Sequence, residues 1–498
     1  MYGSPDVMRA ASPSPLRRSA ALGALLVACT AATAGAADWP SPDANPAGTR
    51  SDAGSPLRST AVHNLRRIWR WRIPDFIAFD GEMSATPLIV GGRVYVQTLR
   101  SNVYALDAAS GKLVWQRHFD RMSSGPNGLT SAGGRLYGAT DIAAFALDAK
   151  TGRILWRRTV TDARRPMDIA PLVTGGLVIL GTTAPRPGGK GSVVALSAAT
   201  GAIRWRRSTV AGAWANPRVA SGGGVWWTPT TDGAGAIYAG VGNPLPWGGT
   251  PAQPNGGAYR GADLYTDSLL ALAAGTGEIR WHDQVVPHDV RDQDFTLPPI
   301  VTNVKGRRLL VGGGKGGHVI AWDRRTHRRV WQTAVGLHRN DVGPLPAKRV
   351  SVCPGLFGGA LTPMAVARGL VFVPVVDACM LGSSTGYESL GAVNLIKRGR
   401  GELVALDLAS GRVRWRRTLP APLFGCATVA ADVVFAPTFE GRIRAFAADT
   451  GRPLWSAAEP AGITACPAVA GNLLVVAAGA DPGNLRNPDY VVDAYALP

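Results

Sequence analysis

The sequence is poor in charge, in lysine and in cysteine. Charged residues make up 17% of the 498 positions, against about 25% in an ordinary globular chain, which argues against coiled coils and long solvated helices. Only seven of the 53 basic residues are lysine, so arginine carries the net charge of +19. A nucleic-acid binder gathers such charge into one stripe or tail. Here it recurs in pairs along the chain, as in Trp156-Arg157-Arg158, Trp205-Arg206-Arg207 and Trp415-Arg416-Arg417, a distribution expected of solvated strand edges. The five cysteines include no Cys-x-x-Cys-His run, which excludes covalent c-type haem, and no spacing resembles a zinc site. The histidines at 282, 288, 318 and 327 share no spacing either, so no metal cluster is expected among them. Lys315 stands among glycines but is followed by Gly316, where a phosphate loop needs Ser or Thr. What is abundant is glycine (62), proline (37) and hydrophobic residues (46%). That mixture rules out disorder and favours many short strands joined by turns around a sizeable core.

The N-terminus reads as an export signal over 1–36. Arg17-Arg18 precedes an alanine-dominated apolar run too poor in Leu and Ile for a membrane span, and Ala34-Gly35-Ala36 offers a small-x-small cleavage site. Leu26-Val27-Ala28-Cys29 also has the small-residue context of a lipoprotein site, so a lipidated Cys29 stands beside plain secretion. Removal of the leader leaves Cys353, Cys379, Cys426 and Cys466. In an exported chain disulfides are then expected, with three pairings open.

One pattern organises the rest. Ala-x-Asp-x-x-Ser/Thr-Gly-x-x-x-Trp, with variations, occupies 105–115, 146–156, 195–205, 271–281, 321–331, 405–415 and 445–455. Each copy is an apolar run, a tight turn and a second extended run, which is a hairpin signature. A further strand pair precedes most copies, as in Thr86 to Val96, so each unit has the four strands of a propeller blade. Successive tag tryptophans lie 40–84 residues apart, placing insertions in two units, where function is expected. The eighth unit is split. Asp493 to Pro498 has no strand after it and Ile68-Trp69-Arg70-Trp71-Arg72 none before it; joined, they complete an eighth blade and close the ring. The expected organisation is an arm over 37–64 and an all-β eight-bladed propeller over 65–498.

The tag resembles the tryptophan-docking repeat of pyrroloquinoline quinone (PQQ) dehydrogenases, which are eight-bladed propellers; non-enzymatic assembly scaffolds share it. Three longer stretches are similar to quinoprotein alcohol dehydrogenases. Ile237-Tyr-Ala-Gly-Val-Gly-Asn243 with Leu264 to Leu272 resembles the block supplying a calcium-liganding Asn. Pro287-His288-Asp289-Val-Arg-Asp292-Gln-Asp294 resembles the block carrying the catalytic Asp. Gly313-Gly-Lys315-Gly-Gly resembles the block whose Lys contacts the quinone. Trp226, six residues before Asp232, stands where that family's stacking Trp does, with Trp227 as its alternate. The resemblance thus implies oxidation of an alcohol by bound PQQ, with Asp292 taking the hydroxyl proton, Asn243, Asp292 and Asp294 as ligands of calcium or a lanthanide, Lys315 at the quinone oxygens and an external electron acceptor. It also implies a Cys353–Cys379 pair. Cys426 and Cys466, which begin strands at equivalent places in neighbouring blades, are expected to pair with each other.

The chain departs from the family at several points. Its metal-ligating Glu falls at Arg186, and residues 181–195 contain no acid, so the cation is expected to bind weakly, with Arg186 near a cofactor carboxylate instead. The Glu before Ala/Ser-Thr-Pro is Ser84, with Glu82 nearby. The family's Asn-Arg-Gly reads Pro126-Asn127-Gly128, and its adjacent cysteine pair is missing. A non-catalytic propeller that binds a ligand or protein is the alternative, in which Asp289, Asp292 and Asp294 form an acidic loop paired with Arg291 and Arg280.

Overall fold

The structure, a computed structural model, describes residues 38–75, 85–214, 216–256, 263–388, 399–480 and 489–498. The leader with Cys29, together with Glu82 and Ser84, lies outside them. Among the described residues, seven antiparallel sheets of four strands and one of four extended by a parallel fifth form an eight-bladed propeller. The third blade shows the plan: Leu172–Thr174, Leu177–Thr182, Ser192–Ser197 and Ile203–Ser208 pair in sequence order. Its third strand is buried at every position, while the outermost strand is largely exposed. That gradient explains a composition rich in Val, Leu and Ala in the middle of each blade and in Arg at its rim.

Each element of the tag has a physical task. The Asp closes its own turn: Asp148 Oδ1 accepts from the backbone and the hydroxyl of Thr151, as Asp407 does from Ser410. The Trp reaches into the next blade, where its indole N–H donates to a backbone carbonyl of the next tag. Trp115 donates to Ala149 O at 3.1 Å, Trp156 to Ala198 O at 3.0 Å and Trp205 to Ala274 O at 2.8 Å. The ring then lies on that tag's glycine. Gly111 has φ +69° and a Cβ there would come within 2.7 Å of Trp69, so both conformation and space demand glycine. In the fifth blade the same place holds His327 (φ +60°), and Trp281 stacks on its imidazole with centroids 5.0 Å apart. The arginine two residues after the Trp is also a blade-to-blade tie: Arg117, Arg207 and Arg417 donate to the carbonyls of Gly152, Gly277 and Gly451. The paired arginines are thus partly structural and not only solvated edge residues.

The ring closes through the two ends of the chain. Arg66–Arg72 pairs antiparallel with Val491–Ala496 beside Leu473–Ala478 and Ala468–Ala470. Trp69 completes the circuit by donating to Ala108 O in the first blade. Upstream, Ser51–Asp52 adds a parallel strand to the seventh blade. The fully buried Arg50 fastens this segment with donations to Ala427 O, Pro467 O and Thr428, and an ion pair to Asp43 at 3.2 Å. Cys353 is bonded to Cys379 and Cys426 to Cys466, with Cα atoms 4.5 and 4.7 Å apart. The first pair secures a small accessory sheet of Val350–Val352, Met380–Ser383 and Gly386–Glu388.

Candidate functional site

Residues from segments flanking successive blades converge on a cavity of about 450 Å³. Leu99, Asp168, Trp226, Lys315, Phe357 and Phe424 lie on its wall. Three chain segments meet behind Lys315, which lines the cavity while the acids that it pairs with do not. After Ala236–Gly240 the chain passes through Gly242 to Asn243, whose backbone N–H donates to Asp294 Oδ1 at 2.7 Å and whose Nδ2 donates to Asp292 Oδ1 at 2.7 Å. The loop 289–294 is shaped by Asp289, which accepts from the backbone of Arg291 and Gln293, and Asp292 itself adopts φ +62°. After the strand Arg307–Gly313, Lys315 brings its Nζ to 2.8 Å from Asp292 and 2.5 Å from Asp294.

Asp292, Asp294, Asn243, Lys315 and Trp226 are therefore brought together. The indole of Trp226 lies so close over Gly242 that a Cβ there would meet it at 2.5 Å and Asp294 at 2.8 Å, and Lys315 Nζ stands 6.0 Å from the ring centroid. Trp227 also lines the cavity. Arg186 is exposed on the loop after Leu177–Thr182 and is not among the lining residues. It makes no ion pair with these acids among the described residues, although Thr183 on the same loop does line the cavity. Arg291 does not pair with the acidic loop. Its guanidinium donates to the carbonyls of Asn340, Val342 and Gly343, and Lys315 is the cation that meets the carboxylates.

The electrostatics follow from burial. Desolvation pushes the Asp292 carboxyl up, the charges of Asp294 and Asp289 add to it, and Lys315 opposes them. Burial also disfavours the Lys315 ammonium, but Asp292 and Asp294 outweigh it and hold the lysine protonated. Asp289 is raised to about 6 by burial. Asp267 is fully buried and neither carboxyl oxygen has a hydrogen-bond partner among the described residues; burial and the nearby Asp289, Asp294 and Asp292 push it well up. Several acids thus share one lysine. An oxygen-only set of two carboxylates and an amide around this excess of acid fits a hard cation, and a flat aromatic wall beside a lysine fits a planar, electron-poor ring.

One cavity residue escaped the sequence reading. Asp168 is buried, accepts from Ser123 and from the backbone and hydroxyl of Ser124, and is raised by burial. The signal was in the repeat: Asp168-Ile-Ala-Pro in the third blade is equivalent to Ser84-Ala-Thr-Pro in the first.

Comparison with known proteins bears on the family and the fold. A family model for PQQ-type repeats, described as "Outer membrane protein assembly factor BamB", matches residues 66–283 and 365–486. Quinohemoprotein alcohol dehydrogenase ADH IIB of Pseudomonas putida is 29% identical over 491 residues, covering 83% of this chain and 69% of the relative. The quinohemoprotein alcohol dehydrogenase of Comamonas testosteroni is 28% identical over 506 residues, covering 86% and 70%. Its solved structure superposes with a TM-score of 0.79 over 93% of this chain and 80% of that one, at 23% identity. BamB of Moraxella catarrhalis shares the fold with a TM-score of 0.56 at 15% identity over 87% of this chain and 99% of that one. The chain belongs to the PQQ propeller family that this repeat model describes, and it is quinoprotein alcohol dehydrogenase-like in sequence and fold.

Proposed function

We propose that this protein is an exported quinoprotein oxidoreductase that oxidises an alcohol, with Asp292 as the general base. The observation that carries the reading is the meeting of Asp292, Asp294, Asn243 and Lys315 beside Trp226 at one cavity. Trp226 would form the floor for PQQ, Lys315 would face its quinone oxygens, and Asn243, Asp292 and Asp294 would hold calcium or a lanthanide. When bound, the quinone supplies the two-electron acceptor. The chain's own residues do the rest. Asn243 Nδ2 holds Oδ1 of Asp292 and Lys315 holds Oδ2, the oxygen that would take the hydroxyl proton once the lysine moves off it. Burial raises the basicity of Asp292, and Phe357, Leu361 and Phe424 give the cavity an apolar wall. The two disulfides support an oxidising, extracytoplasmic location. An external acceptor would reoxidise the cofactor.

A non-catalytic binding propeller is the second reading, favoured by the exposed Arg186 in place of a metal-ligating acid. Titrating the purified protein with PQQ, with and without calcium or a lanthanide, and following cofactor absorbance separates the two. A cation-dependent spectral shift followed by alcohol-dependent dye reduction supports the enzyme. Binding with no turnover on any alcohol and any of these ions supports the scaffold.

A further inference from the structure

A second cavity, of about 470 Å³, lies on the other side of the Lys315 turn. Lys315 faces the first cavity, whereas Gly314 and Gly316 line the second together with Gln293, His288, His318 and Asp341. At its edge stand His318, His338 and Asp341, whose donor atoms all lie within 4.8 Å of one another. We propose that these three residues bind a divalent transition-metal ion of the zinc and copper class, at a site separate from the cofactor cavity.

The donor set is the first argument. Two imidazoles and a carboxylate are borderline ligands that select zinc or copper(II) over calcium and magnesium. The oxygen-only set around Asp292 has the opposite preference. Geometry is the second. His338 Nδ1 lies 2.6 Å from Asp341 Oδ2, and its Nε2 lies 3.2 Å from Val335 O. At 2.6 Å Nδ1 and the carboxylate share a proton, which a metal ion would displace on binding while Nε2–H keeps its bond to Val335 O, the usual outer-sphere partner of a metal-bound histidine. With metal–ligand distances of about 2 Å, the pair needs to part by well under an ångström. The His318 ring is 5.2 Å from that of His338, and its Nδ1 is buried without a hydrogen-bond partner among the described residues. Burial keeps His318 neutral, the form that ligates. The neighbouring cation Arg329 is committed to Asp283 at 2.6 and 2.7 Å.

The position gives the ion leverage. His318 opens a fifth-blade strand, while His338 and Asp341 lie on the segment that follows the blade. That segment also accepts hydrogen bonds from Arg291 and Gln293, the neighbours of Asp292. A bound metal would clamp the backing of the acidic loop to the blade.

The test uses the full exported chain carrying no polyhistidine tag, stripped of metal and held in excess calcium. Zinc is titrated by competition with a chromogenic chelator, and copper(II) coordination is read by electron paramagnetic resonance. One zinc should bind per chain, and copper(II) should show hyperfine splitting from two imidazole nitrogens. His318→Ala, His338→Gln and Asp341→Asn, each checked for an unchanged melting profile, should weaken zinc binding about tenfold or more, whereas Asp294→Asn should not. Binding left unchanged in all three variants, or copper with oxygen ligands only, overturns the proposal.

Discussion

The ammonium of Lys315 lies 2.8 Å from the carboxylate of Asp292, and it meets Asp294 as well. A cation in that position fills part of the role a metal would play. Replacing Lys315 with Ala should leave two buried carboxylates without their counter-charge, a change that costs about 3–5 kcal/mol. Calcium should recover more stability in this variant than in the native protein, because the acids then have no other partner. Thermal melts with and without millimolar calcium check both statements; equal calcium responses would place the cation elsewhere.

Asp292→Asn keeps the side-chain shape and removes the base. Turnover of an alcohol substrate should fall by about 10²–10⁴-fold while PQQ affinity, read from cofactor absorbance, stays within a few-fold. A variant with native turnover would remove Asp292 from the chemistry.

The tag glycines predict a contrast. Gly111→Ala puts a Cβ against the Trp69 ring at a residue with φ +69° and should destabilise by about 1–3 kcal/mol. His327→Gly removes a stacking partner of Trp281 but also relieves a side chain at φ +60°, and should cost less than about 1 kcal/mol. Denaturant melts of the two variants give the order directly.

Glu459 gives a pH dependence away from the site. Buried against Asp493, it is pushed up from the ordinary glutamate value while Tyr495 donates to it at 2.6 Å. Because the folded state holds this proton more tightly than the unfolded chain does, its contribution is complete below about pH 4.5 and is lost as pH rises through the raised folded value. Glu459→Gln should therefore flatten the fall in melting temperature between mildly acidic and alkaline pH. A parallel pH profile in the variant would contradict the assignment.

The propeller was legible because its repeat encodes contacts. The same Trp recurs in all seven copies, the Gly in six and the turn-closing Asp in four, and together they outvote any local ambiguity. Ring closure was legible for a related reason: Trp69 lacked its first strands and Val491 to Ala496 lacked a last one. The acidic loop stood out through its resemblance to the family's block with the catalytic Asp, because residue order within so short a segment is kept on folding. Arg186 shows the limit. Its position in the pattern said which residue it replaces, but the direction of a side chain on an excursion depends on backbone that no repeat constrains. His338 shows another, since its partner His318 is twenty residues away across a strand and a turn, and only the return of the chain along the blade brings the rings together. Asp168 shows a third, since this acid stands at the repeat position equivalent to Ser84 two blades earlier, and only the ring brings it to the cavity.

The pairing of Arg66–Arg72 with Val491–Ala496 sets an order on how the molecule is made. The last blade cannot exist in a growing chain, since one of its strands is synthesised more than 400 residues after its neighbour. Bringing such distant ends together is slow, and the entropy of closing so large a loop must be met before the blade rewards it. Until then the chain carries an unsatisfied sheet edge at each end of a nearly finished ring, open to other chains. A polypeptide threaded across a membrane from its N-terminus would emerge with its closing strand first and its partner last. The interval between those two events is when it most needs protection from its neighbours.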